Sequence, residues 1–435
     1  MKYLPLNSEM FLKNRKKFSE MLMPNSLAVF NSNDIMPTNA DGTMPFRQNN
    51  DLFYLSGIDQ EESILIIFPD AINPEYREIL FVKETNEEIA IWEGAKLNKE
   101  EAFKISGIKT VFWINQFKNI LNILMSECEN IYLNTNEHTR AVVEVETRDS
   151  RFINWCKQNY PLHKYNRSAP IMKKLRQIKS QHEIDLLQKA CNITEDGFRR
   201  LLGFVKPGVM EYEIEAELIH EFVRKRSRGF AYTPIIASGF NACVLHYIEN
   251  NQECKAGDVI LLDVGAEYAN YASDMTRCVP VSGRFTQRQK DVYNAVLNVM
   301  RAAIKLLVPG TKIVDYHKEV GFIMEAELIR LGLLNASEVT NQNPNKPLYK
   351  KYFMHGTSHL LGLDVHDIGE PDLVFQNGMV FTCEPGIYIR EENLGIRLEN
   401  DILITENGPV DLMANIPIEA DEIEELMSAL TVAST

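Results

Sequence analysis

The sequence predicts an α+β protein whose large C-terminal part is one duplicated unit, preceded by a smaller α/β N-terminal domain. Three observations lead there. The run Gly257-Asp258-Val259-Ile260-Leu261-Leu262-Asp263-Val264-Gly265 has a counterpart 121 residues later, Gly378-Met379-Val380-Phe381-Thr382-Cys383-Glu384-Pro385-Gly386, which places Asp263 on Glu384. Each run follows a helical region with a Pro-Gly stop, at Pro207-Gly208 and at Pro309-Gly310. After each stop comes another amphipathic stretch, Glu213 to Arg226 and Tyr316 to Leu331, and both contain Glu-Ala-Glu-Leu-Ile, at 215–219 and 325–329. The two copies are related by a pseudo-two-fold.

In chain order, a helical pattern runs from residue 8 to 23 through Met10, Phe11, Arg15, Phe18 and Leu22 and stops at Pro24. Strands are predicted at Ser26 to Phe30, Glu62 to Phe68, Glu78 to Val82 and Glu88 to Trp92, separated by Pro- and Asn-rich turns. With helical stretches such as 115 to 126 between strands, this part reads as an α/β layer structure. The run Pro45 to Gly57, polar and then aromatic, reads as a loop entering a strand. A boundary near Pro170 to Lys174 divides the chain into domains 1–174 and 175–435. Beyond it Ser180, with Glu183 three residues on, forms a capping-box pattern that opens a long helix. Ile418 to Leu430 reads as a short acidic helix.

The duplicated part carries the chemistry. Val259 to Gly265 reads as a buried strand and Tyr271 to Val279 as its hairpin partner. With the turn centred between Tyr268 and Ala269, Asp263 and Asp274 face one another, roughly 5 Å apart at Cβ. Like charges in that position destabilise a sheet, so a metal is the natural reason to keep them. Downstream, Glu384 and Glu399 are symmetric about Glu391 and Glu392, which makes a second hairpin with a second acidic pair. Four carboxylates brought together require strong compensation, and divalent cations supply it at the shortest range. Asp263, Asp274, His359, Glu384 and Glu399 are therefore read as a two-metal site.

Composition narrows the partners. The chain has 435 residues, 45% hydrophobic and 24% charged, the balance of a globular protein that can bury a large core. A net charge of -14 argues against nucleic-acid and anionic-membrane partners, which select a basic face. No apolar run is long enough to span a bilayer, and the first residues lack the apolar core of a secretory signal. The 7 cysteines are dispersed and form no Cys-x-x-Cys pair, which points to reduced thiols, small buried hydrophobes, in a cytoplasmic protein.

The five residues and their flanks, His359 in His355-Gly356-Thr357-Ser358-His359, Glu384 in Glu384-Pro385-Gly386 and Glu399 in Gly395-Ile396-Arg397-Leu398-Glu399, resemble the pita-bread metallopeptidases. The N-terminal run Pro45-Phe46-Arg47-Gln48-Asn49 through Gly57, with Ile91-Trp92-Glu93-Gly94, is similar to the aminopeptidase P branch, which cleaves Xaa-Pro bonds. The resemblance implies a pita-bread fold, two divalent ions, most commonly Mn²⁺, and peptide substrates with proline second. It implies Asp263 and Asp274 on one metal, His359 and Glu384 on the other, and Asp274 and Glu399 bridging. Oxygen-rich ligands with one imidazole and no thiolate suit such an ion. Two ions about 3.5–4 Å apart share a bridging water and lower its pKa, so that hydroxide attacks the peptide. Glu384 is then the base, passing the proton to the leaving proline nitrogen.

The resemblance further implies that His355 and His366 donate hydrogen bonds to the substrate carbonyl and the oxyanion, with His246 on the substrate side. Arg397 is read as holding the bridging carboxylates. Trp92 is a core residue by default, and the matching family tryptophan enters a neighbouring subunit's pocket, which makes a homo-oligomer, dimer or tetramer, the expected assembly. The histidines at 138, 163, 182, 220 and 317 are read as structural. Prolidase, an Xaa-Pro dipeptidase, shares the ligands, but its eukaryotic relatives carry a long insert where only 14 residues separate Glu384 from Glu399 here. Methionine aminopeptidase lacks the N-terminal domain, and non-catalytic pita-bread binding modules lose metal ligands.

Overall fold

The computed structural model describes residues 2–141 and 144–433. They divide into two compact units, one running from Tyr3 to Leu175 and one from Arg176 onward. Among the described residues no helix is long and apolar enough to cross a membrane.

The first unit is built on one six-stranded sheet. Its strands are β1 (Ser26–Asn31), β2 (Ile64–Ile67), β3 (Glu78–Val82), β4 (Thr110–Trp113), β5 (Asn130–Leu133) and β6 (Lys164–Arg167), in the order β4-β3-β2-β1-β5-β6. The central pairs β1/β2 and β2/β3 are antiparallel and the outer pairs parallel. Every residue of β1 is buried because both faces are covered. On one face Leu27, Val29, Ile66 and Phe81 pack against Phe117, Leu121 and Leu124 of the helix Phe117–Met125. Phe30 meets Phe18 of the helix Ser8–Glu20 edge to face at 5.2 Å.

Two sequence expectations fail here. Glu88 to Trp92, expected as a strand, lies in the helix Glu87–Glu93. The Asn86 side chain accepts from Ile89 N–H at 2.8 Å, two glutamates sit in the first turn, and Gly94 at φ +77° ends the helix. Its apolar residues are not buried on either side: Ile91 is 80% and Trp92 86% exposed, so the default reading of Trp92 as core is overturned. Pro45 to Gly57 leads into a helix, Asn50–Ser56, and not into a strand. Asn49 caps Asp51 N–H and Leu52 N–H, and Gly57 closes it at φ +69°, where a Cβ would overlap the Phe11 ring. Local capping outweighs the β preference of the aromatics.

The second unit is the duplicated one. The helices Gln181–Leu202 and Glu211–Arg224 precede β7 (Ile235–Ser238), β8 (Val259–Val264), β9 (Glu267–Tyr268), β10 (Tyr271–Ala272) and β11 (Met275–Pro280). The helices Gln287–Ile304 and Ile313–Arg330 precede β12 (Val380–Cys383), β13 (Gly386–Ile389), β14 (Leu394–Arg397), β15 (Asn400–Thr405) and β16 (Gly408–Asp411). Ser180 N–H donates to Glu183 at 2.8 Å, as the capping box predicts. The helix Ala420–Ala433 closes the chain. The copies agree in their backbones: Gly257 and Gly378 lie at φ +90° and +87°, and the Pro-Gly glycines Gly208 and Gly310 at +91° and +90°. Leu218 and Leu328, equivalent in the shared pentapeptide, are both fully buried.

The copies meet where β11 passes the second hairpin, and Glu399 N–H donates to Thr276 O at 3.1 Å. In that hairpin Cys383 lies opposite Asn400 and Gly386 opposite Arg397, which sets Glu384 against Glu399 as the sequence predicts. The first hairpin differs. Thr276, and not Asp274, lies opposite Asp263, because the turn falls on Ala269 and Asn270, both left-handed at φ +51° and +66°. The two aspartates are diagonal neighbours on one face.

Candidate metal centre

Five acidic or imidazole side chains converge where the two copies meet. His359 Nε2 lies 3.5 Å from Asp274 Oδ2 and 3.6 Å from Glu384 Oε1. Ligand atoms of Asp274, His359 and Glu399 all fall within 4.8 Å of one another. Asp263 joins through Tyr232, whose hydroxyl lies 2.7 Å from Asp263 Oδ1 and 2.6 Å from Asp274 Oδ1. One hydroxyl proton serves two carboxylates there, so the pair depends on further positive charge.

Arg397 is the guanidinium in this group. It reaches Asp263 through Nη2, Thr276 Oγ1 through Nε at 3.1 Å and Tyr388 Oη through Nη1 at 2.9 Å. Thr276 Oγ1 in turn donates to Glu399 Oε2 at 2.6 Å. Arg397, read as holding the bridging carboxylates from behind, grips Asp263 directly and meets Glu399 through Thr276, while no hydrogen bond from it to Asp274 is seen among the described residues. The cause is the two-residue shift of the first hairpin, which brings Thr276 between them.

Burial raises the pKa of every acid that shifts here. It lifts Glu384 to about 7 against the opposing charges of His359 and Arg397, and it raises Asp263 against Arg397. Glu399 goes well up through burial and then through the charges of Asp274 and Glu384. Burial opposes a proton on His359, but the hydrogen bond with Asp274 and the charge of Glu384 raise it to about 9. A proton and a cation therefore compete for the same imidazole nitrogen. Four carboxylates, buried at Asp274 and Glu399 and half-buried at Asp263 and Glu384, with one imidazole, one arginine and no thiolate fit hard-to-borderline divalent ions.

The other predicted residues are placed as follows. His366 packs edge to face on His359 with ring centroids 4.2 Å apart. His355 Nδ1 lies 3.8 Å from Glu384 Oε2 and 2.7 Å from Gly356 O, while its Nε2 is 2.7 Å from Tyr388 Oη. Since Gly356 O can only accept, His355 carries its proton on Nδ1 and accepts from Tyr388. Burial first, and then the charge of Arg397, bring His355 down to about 3. His246 is exposed on the turn after the 3-10 helix Gly239–Cys243, and its charge acts on His355. Trp92 belongs to the first unit.

Sequence reasoning missed four participants. Tyr232, Thr276 and Tyr388 carry no charge or spacing that marks them. Asp401 is fully buried and takes Asp274 N–H at 3.0 Å and Cys191 Sγ–H at 3.3 Å. Its place two residues after Glu399, in a strand buried through Ile404, was the available signal.

Comparison with known proteins decides the family. Residues 185–406 match the profile of metallopeptidase family M24, and residues 11–132 match the aminopeptidase P N-terminal domain. The chain belongs to metallopeptidase family M24. The M24 peptidase is 34% identical to the Xaa-Pro aminopeptidase of Escherichia coli over 98% of each chain. It is 31% identical to human Xaa-Pro aminopeptidase 3, over 91% of this chain and 78% of that one. A putative aminopeptidase P from Bacillus anthracis superposes with a TM-score of 0.90 at 33% identity, covering 98% of this chain and 100% of the other. An E. coli aminopeptidase P variant in complex with substrate superposes at 0.87 and 32% identity, covering 98% and 99%. The M24 peptidase is thus a metal-dependent hydrolase with a pita-bread catalytic fold and an aminopeptidase P type N-terminal part.

Proposed function

We propose that this M24 peptidase is an Xaa-Pro aminopeptidase that removes the first residue from peptides with proline second, using two divalent ions, most commonly Mn²⁺. One observation carries the reading: Asp263, Asp274, His359, Glu384 and Glu399 converge in a buried site compensated by Arg397. Asp263 and Asp274 would hold one ion and His359 and Glu384 the other, with Asp274 and Glu399 placed to serve both. Bound there, the ions supply Lewis acidity and a nucleophilic water at neutral pH.

Glu384 takes the proton from the attacking water and gives it to the leaving proline nitrogen, a task suited to a carboxyl held near neutrality. Tyr232 and Arg397 orient Asp263 from both sides, so its charge stays aimed at the ions and the substrate's free amine. His355 and His366 serve the substrate carbonyl and the oxyanion and His246 the substrate side, with the His355 ring fixed by Tyr388 beside Glu384. All five ligand positions lie in domain 175–435, the catalytic one. The 7 cysteines, all unpaired and buried, support the cytoplasm as its compartment. Exposed Ile91 and Trp92 support a homo-oligomer, dimer or tetramer, with Trp92 reaching a neighbour's substrate.

Against the prolidase alternative, the chain between Glu384 and Glu399 is a tight hairpin. It turns through the 3-10 helix Arg390–Glu392 and left-handed Asn393, so nothing there closes over a terminal carboxylate. We expect kcat/KM to be higher on Ala-Pro-Ala than on the matched dipeptide Ala-Pro. A clear preference for the dipeptide in steady-state assays makes the enzyme a prolidase.

A further inference from the structure

Beside the metal centre, a cavity of about 640 Å³ opens within the second unit. Its wall includes His355-Gly356-Thr357, and Thr357 O accepts Glu384 N–H at 2.8 Å. The rest is lined chiefly by His317, Lys318 and Phe322 of the helix Ile313–Arg330, with Tyr349, Lys350 and Phe353. In a chain with 60 acidic residues, no aspartate or glutamate among the described residues lines this cavity, whereas two lysines and two histidines do.

Both lysines rest on aromatic faces and not on acids. Lys350 Nζ lies 5.2 and 5.7 Å from the Tyr349 and Phe353 ring centroids and donates to His355 O at 3.4 Å. Lys318 Nζ lies 5.8 Å from the Phe322 centroid. Lys350 is exposed, and partial desolvation of its ammonium lowers its pKa. Burial, with the Lys350 charge second, brings His317 down to about 4, so that neighbour is neutral.

We propose that this cavity receives the side chain of the substrate's first residue and selects aspartate or glutamate there, through Lys350 supported by Lys318. The inference rests on the Xaa-Pro aminopeptidase reading. In that reading the first residue's Cα directs its amine to the carboxylates and its carbonyl to the attacking water. The side chain is the remaining substituent, and the acid-free cavity opens beside Glu384, where that carbon lies. An acidic group there meets the exposed Lys350 ammonium where it lies over the Tyr349 and Phe353 rings, and can form a charge-assisted hydrogen bond with it.

The test is kcat/KM of the metal-loaded enzyme on Glu-Pro-Leu, Gln-Pro-Leu and Ala-Pro-Leu. The wild type is expected to cleave Glu-Pro-Leu at least tenfold faster than Gln-Pro-Leu, Lys350→Met to bring that ratio close to one, and Lys350→Arg to keep most of it. Equal rates on the two peptides in the wild type, or an unchanged ratio in Lys350→Met, overturn the proposal. A Glu-over-Gln preference at position three instead, on Ala-Pro-Glu against Ala-Pro-Gln, overturns it as well by moving the lysines across the scissile bond. If Ala-Pro-Leu is cleaved while Glu shows no advantage, only the cavity assignment falls; if no Xaa-Pro peptide is cleaved, the Xaa-Pro reading falls with it.

Discussion

Asp149, in the first turn of the helix Arg148–Asn159, accepts from Asn31 Nδ2 at 2.8 Å. Burial outweighs that hydrogen bond and lifts its carboxyl to about 7. A folded pKa above the unfolded value of about 3.9 means stability that is complete below pH 4 and lost as pH rises through about 7. Asp149→Asn removes that dependence. The stability of the variant relative to wild type should therefore be greater at pH 8 than at pH 5 in paired urea titrations. An identical difference at both pH values leaves Asp149 without this role. At the metal centre, a charge after an apolar run stood out in the sequence at Asp263, and hairpin symmetry with Glu384 marked Glu399. Tyr232 and Thr276 did not, because a hydroxyl is equally at home in a core or a turn, and only their neighbours turn them into supports.

Among the elements, the two hairpins show where pattern reading stops. The second was placed correctly, since its strands are symmetric about a short 3-10 turn and either hydrophobic face allows one register only. The first was centred one residue early, because the turn depends on two left-handed residues, Ala269 and Asn270, and alanine gives no turn signal. Gly265 lies in this hairpin, opposite the Asp274 position, and a Cβ on it would overlap the carbonyl oxygen of Ser273. A Cβ on its counterpart Gly386 would lie 2.7 Å from the Tyr388 hydroxyl. In Gly265→Ala the Ser273-Asp274 segment must shift, at a cost of about 1–3 kcal/mol. A displacement of about 1 Å at a ligand lowers turnover on the order of 10²-fold. Kinetics together with metal analysis should show reduced kcat and reduced metal content; a variant with wild-type values for both would refute the packing argument.

For the whole molecule, the centre joins two copies that are far apart in sequence, so ions held there also fasten the copies together. At an ion concentration about 100 times Kd, each site adds about 2.7 kcal/mol. In a unit of this size 1 kcal/mol moves Tm by about 2–4 °C. Chelation is therefore expected to abolish activity and lower the Tm of the catalytic unit by at least about 5 °C, with Mn²⁺ restoring both. An unchanged melting profile in calorimetry after complete metal removal would contradict it. By itself the sequence determined the duplication, the paired helices and the hairpin strands of each copy, and it singled out the five side chains read as ligands, while β7, β15 and β16 went unread. Those follow from local periodicity, Pro-Gly punctuation and charges placed where burial forbids them unpaired. Only the tertiary structure decided that Asp263 faces Thr276, that Arg397 holds Asp263 and that Tyr232 joins the two aspartates. Turn conformation and contacts between residues more than 30 positions apart leave no periodic trace along the chain, and packing alone selects them.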